Sequence, residues 1–122
     1  MINMNHRLRA AAGIPTYRYL YSGNFTNLAP RPWLGAYHSS ELPLLFGTHG
    51  NYRGPSTKYE VDVSEAMQDA WHAFANDPSQ GLIAQKWPQF TPGHELMRVF
   101  GDSGTVARDG IGELKVYEDQ CV

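Results

Sequence analysis

Of the five histidines in the chain, His38 is set apart by its surroundings. It lies in a polar knot, His38-Ser39-Ser40-Glu41, between two apolar runs, Trp33–Tyr37 and Leu42–Phe46, that are expected to anchor it on both sides. An imidazole with a pKa near ~6.5 can take a proton from a hydroxyl and return it to a leaving alcohol close to neutral pH. That chemistry needs a carboxylate on the second ring nitrogen to fix the tautomer and steady the imidazolium. On residue types alone, the commoner reading of such a histidine is a loop side chain bonded to a backbone carbonyl. Glu41, three residues on, is read as structural, because a carboxylate at a helix N-terminus is favoured by the helix dipole. Ser39 and Ser40 lack a glycine-flanked elbow and are read as helix-capping residues.

The other chemistry-bearing residues form no second constellation. His6, His49, His72 and His94 show no H-x-x-x-H or H-E-x-x-H spacing, so no metal site is expected. Gly101-Asp102-Ser103-Gly104 matches four letters of the trypsin-type nucleophile motif, but Thr105 stands where a further glycine is usual. That fold also needs roughly double this length, so the tetrapeptide is read as a turn. The lone Cys121 excludes an internal disulfide. A net charge of −2 supplies no basic field for nucleic acid, and no apolar run has the length of a membrane-spanning helix.

The elements that must position His38 follow from punctuation and periodicity. Pro43 opens a short helix after the histidine and Gly47 ends it; proline fits a first helical turn, and glycine fits just past the last. Upstream, His6 to Ala12 reads as the tail of a truncated helix stopped by Gly13. Thr16 to Gly23 reads as a strand with Tyr17, Tyr19 and Tyr21 on one face, near a sheet margin. Thr57 and Glu60 have capping-box spacing, and the helix they open runs to about Asn76, before Asp77-Pro78. Val63, Met67, Ala70, Trp71 and Phe74 form its apolar stripe. Trp87 and Phe90 anchor an irregular stretch over Leu82–Pro92. Leu96–Phe100 and Thr105–Arg108 read as a hairpin, and Gly110–Val122 carries too little pattern to place.

Trp33-x-Gly35-x-x-His38, followed by Glu41-Leu42 and Phe46-Gly47, resembles the catalytic-histidine segment of type B, cholinesterase-like carboxylesterases. The likeness extends upstream over Pro15–Leu28, and downstream over Ala70–Pro78, Gly81-Leu82 and Lys86–Phe90. It spans roughly Ala10 to Arg108 and is nearest to fungal and bacterial members. Ser39 stands where many relatives carry glycine.

The resemblance implies an α/β fold: the C-terminal part of an α/β-hydrolase, incomplete, with strand, histidine loop, long helix and terminal β-hairpin in a single partial domain over 1–122. It implies a serine carboxylic-ester hydrolase with His38 as triad base and no cofactor. In such hydrolases the triad runs Ser, then Asp or Glu, then His, with the serine on G-x-S-x-G. No G-x-S-x-G occurs here. The serine and its carboxylate would therefore belong to a missing N-terminal part, leaving this chain inactive alone. The expected partners are a small-molecule carboxylic ester for the parent enzyme, and that N-terminal part. Any signal peptide would precede Met1, which leaves the compartment open. A non-catalytic binding or interaction module on the same fold is the alternative.

Overall fold

A computed structural model describes residues 2–102 and 110–118. Helix α1 covers Ile2–Ala11 and ends at Gly13, whose φ of 71° takes the left-handed turn that the sequence assigns to it. Strand β1 is Tyr19–Tyr21, shorter than Thr16 to Gly23. Its approach is held instead by an isolated bridge from Tyr17 to Gln89. Helix α2, Leu42–Leu45, and a 3-10 turn at His49–Asn51 precede the long helix α3, Lys58–Asn76. Then come α4 at Gly81–Ala84, β2 at Leu96–Phe100, β3 at Ile111–Glu113 and α5 at Leu114–Glu118.

The three strands form one sheet in the order β1-β2-β3. β1 and β2 are parallel, with Leu20 opposite Val99. A parallel pair requires a crossover, and α2, α3 and α4 lie within it. β1 is an edge strand among the described residues, as its aromatic content suggests.

β2 pairs antiparallel with β3, Met97 opposite Gly112, so the described residues hold one antiparallel pair. Its second strand is Ile111–Glu113, in the stretch whose pattern was too weak to place, and Thr105–Arg108 lies outside the described residues. The physical reason is steric: a Cβ at Gly110 would run into the carbonyl of Val99, and one at Gly112 into the Val99 side chain. The two glycines, rather than an alternating apolar pattern, let the chain close on β2.

α3 organises the core. Val63, Met67 and Ala70 are buried with Leu44, Leu28, Phe25, Leu82, Trp87 and Phe100. Trp87 and Phe90 are buried anchors, as expected; the Trp87 indole N–H donates to the Arg18 carbonyl at 3.0 Å and the Phe90 N–H to that of Thr16 at 2.8 Å. The outer end of the apolar stripe is less buried than its middle. Trp71 is only partly buried and Phe74 is 44% exposed. Both line an open groove of about 430 Å³ between α1, β1 and α3, alongside Tyr17, Tyr19 and Trp87. Nothing in the described residues closes it.

Candidate functional site

Proline and glycine set the frame of the histidine loop. Pro43 is in the first turn of α2. At the other end the Gly47 N–H donates to Leu44 O at 3.1 Å and the Thr48 N–H to Pro43 O at 2.8 Å, with Gly47 at φ 64°. These two bonds make a Schellman stop, which satisfies carbonyls that a helix end leaves open. Ser64 on α3 donates its hydroxyl to Leu44 O at 2.6 Å, fastening α2 to the long helix.

Within that frame His38 is exposed, and among the described residues its ring makes no hydrogen bond. Both of its neighbours are fixed. Tyr37 donates its phenol to Leu28 O at 3.1 Å, while its own carbonyl accepts from the Ser40 hydroxyl at 2.6 Å and the Ser40 N–H at 3.0 Å. Ser39 adopts φ 68°, a left-handed conformation that costs a residue with a Cβ roughly 1–2 kcal/mol.

Two expectations about the loop are corrected. Ser39 and Ser40 do not cap α2: Ser40 is buried and bonds back to Tyr37, because the left-handed turn at Ser39 aims it into the loop. The N-cap is Glu41, without a side-chain cap bond. Nor do Trp33 and Phe46 anchor the loop, being 80% and 70% exposed; Pro43 and Leu44 are the residues buried there. His38 therefore sits on a hydrogen-bonded loop flanked by exposed apolar side chains. Glu41 faces the sheet closely enough to raise the Tyr19 phenol pKa, after burial, the larger cause.

Sequence reasoning missed a buried polar cluster behind this loop. Thr57 accepts from the Glu60 N–H at 3.1 Å, so half of the capping box is present. The Glu60 side chain does not reach back. It is fully buried and accepts from Asn27 Nδ2 at 2.8 Å, while its Oε2 has no hydrogen-bond partner. His49 and Ser56 complete the cluster. His49 Nδ1 stands 2.6 Å from the Ser56 hydroxyl and 3.7 Å from Glu60 Oε1. Although serine, histidine and glutamate meet here, serine and carboxylate share one ring nitrogen. A triad needs them on opposite nitrogens, so this cluster is no proton relay. The available signal was phase: Glu60 lies three residues before Val63 and seven before Met67, in line with the apolar stripe.

No cluster of three or more His, Cys, Asp or Glu side chains suited to a metal occurs among the described residues, and no helix there is long and apolar enough to cross a membrane. Gly101, at φ 77°, and Asp102 follow β2; the rest of the tetrapeptide lies outside the described residues.

Comparison with known proteins agrees with the resemblance. Residues 1–113 match the model of the Carboxylesterase family. A chlorogenic acid esterase of Aspergillus niger is 46% identical, over 89% of this chain and 24% of its own length. Secreted lipase 5 of Gibberella zeae is 48% identical, over 95% of this chain and 22% of its own. Acetylcholinesterase of Gallus gallus is more distant, at 32% over 68% of this chain. The chain spans less than a quarter of the length of the two fungal relatives. Its three-stranded sheet and packed helices are part of an α/β-hydrolase fold, and the chain belongs to the carboxylesterase family.

Proposed function

We propose that residues 1–122 form one partial domain, the C-terminal, histidine-bearing part of a serine carboxylic-ester hydrolase. Its substrate class is a small carboxylic ester, in keeping with the esterase and lipase among the relatives. No G-x-S-x-G lies in these residues, so the nucleophilic serine and the orienting carboxylate come from outside them. The N-terminal part that supplies them packs against the exposed Trp33 and Phe46 beside the histidine.

His38 is the base. It takes the proton of the serine hydroxyl as the oxygen attacks the ester carbonyl, and gives that proton to the departing alcohol as the tetrahedral intermediate collapses. In the second half it takes a proton from water, which attacks the acyl-serine, and returns it to the serine as the acid leaves. A base in this role needs an accessible ring on an immobile backbone. The observation that carries the reading is an exposed imidazole whose two flanking residues are locked, Tyr37 by three hydrogen bonds and Ser39 by its left-handed turn.

The test is hydrolysis of a p-nitrophenyl ester by the full-length hydrolase carrying this segment. His38→Ala lowers kcat by about 10⁴-fold or more at unchanged fold. The 122 residues alone show no turnover above free imidazole. Robust hydrolysis by either protein would overturn the reading.

A further inference from the structure

A carboxylate held fully out of water is costly unless its partners compensate. Glu60 is such a group, and neither the capping of α3 nor the proton transfer uses it. It sits at the third helical position, where exposure would be free, yet turns inward to Asn27. From Asn27 a short path leads to the histidine. The Asn27 amide is surrounded by three acceptors, Glu60 Oε1 at 2.8 Å and the His49 carbonyl and Ser56 hydroxyl at 3.3 Å each. That fixes the backbone of the Asn24–Pro32 loop at its middle. Leu28, the next residue, presents its carbonyl to the Tyr37 phenol at 3.1 Å and to Arg53 Nη1 at 2.9 Å. Tyr37 immediately precedes His38.

We infer that Glu60 is a positioning residue for His38, acting through Asn27, the Leu28 carbonyl and the Tyr37 phenol. The inference rests on the reading of His38 as the base and adds the question of what aims it. The loop has no strand or long helix of its own, so its precision derives from contacts with α3. A base displaced by a fraction of an ångström loses in-line geometry with the serine while leaving ester binding largely intact, which places the effect in kcat rather than KM. A cluster that merely stabilised the fold would lower the melting temperature and the fraction of active molecules, with kcat per active site unchanged.

The experiment uses the full-length hydrolase and a p-nitrophenyl ester, with active sites counted from the acyl-enzyme burst. Glu60→Leu and Tyr37→Phe each lower kcat per active site by about ten- to a hundredfold at constant KM. The double variant falls no further than the worse single, because both cut one path. If Glu60→Leu does not fold, Asn27→Ser cuts the same link from the loop side and takes its place. A kcat per active site within about twofold of the parent in either single variant, or losses that multiply in the double, overturns the inference. If His38→Ala abolishes activity while Glu60→Leu leaves kcat intact, only the positioning role falls; full activity in His38→Ala removes both.

Discussion

The two flanks of α3 are finished in different ways. At its N-terminal end, polar groups that face inward meet one another: Ser64 on Leu44, Asn27 on Glu60, Tyr37 and Arg53 on Leu28. Toward its C-terminal end, Trp71 and Phe74 lie along a groove with Tyr17 and Tyr19. Trp71 stacks edge-on to Tyr19 at 5.0 Å and Trp87 at 6.1 Å, while Phe74 meets Tyr17 at 6.5 Å. Hydrogen bonds are directional and specify one arrangement, whereas an aromatic trough is adhesive and tolerant. The difference separates a flank fixed by directed bonds beside the histidine loop from one that leaves Tyr19 and Phe74 partly in water. Tyr19 and Phe74 contribute less there than the buried Trp87, because they remain 42% and 44% exposed.

Substitution at matching places on the two flanks tests that division most strongly. Leu44 is fully buried between α2 and α3, so Leu44→Ala costs about 2–5 kcal/mol through lost transfer energy and the cavity left behind. Phe74→Ala, which removes a larger side chain, costs less than about 1 kcal/mol because Phe74 is 44% exposed. Urea unfolding of both variants reads the contrast, and equal losses would end it. Gly47→Ala is next in size. It forces a Cβ into the left-handed stop of α2, for a loss of about 1 kcal/mol or more by the same measurement.

The parts of this architecture that local chemistry dictates could be read from sequence. Pro43 and Gly47 bracket α2, and Thr57 and Asp77-Pro78 bracket α3, because start and stop signals act over a few residues. His38 is singled out by the family resemblance around it, since residue types alone read it as an ordinary loop histidine. What escaped depends on distant partners. β3 has no alternating signal of its own and exists because two glycines accommodate Val99. Glu60 fits an exposed capping role by spacing, and only the approach of Asn27 makes burial tolerable. Phe74 lies in the apolar stripe, and periodicity says which face it takes but not whether that face is covered.

Tyr21 sharpens the comparison on the pH axis, since it belongs to the polar flank while Tyr17 lines the groove. Burial first, then the charges of Glu60, Glu41 and Tyr37, raise the Tyr21 phenol far above its ordinary value near 10. A folded-state pKa above the unfolded one favours the neutral phenol, so this stability is complete below about pH 10 and is lost as pH rises beyond it. For Tyr17 burial alone raises the pKa, and no carboxylate contributes. Tyr21→Phe should therefore flatten the fall in stability between about pH 10 and 12 more than Tyr17→Phe does, in unfolding titrations at each pH.

Ser39→Gly has the smallest expected effect and the opposite sign. Serine at φ 68° carries a left-handed cost that glycine lacks. Glycine also loses more backbone freedom on folding, which cancels part of the gain. The net is a stabilisation of about 0.5–1 kcal/mol, read as a higher urea midpoint with an unchanged slope. The same substitution leaves the Tyr37 and Ser40 hydrogen bonds in place, since those run through neighbouring residues. If the loop is held by those bonds, kcat of the full-length hydrolase stays within about twofold of the parent while stability rises. A large drop in kcat would mean that the serine side chain itself, rather than its backbone conformation, helps to hold His38, and the rigidity of the polar flank would then have to be reassigned from the Tyr37 path to the residue after the histidine.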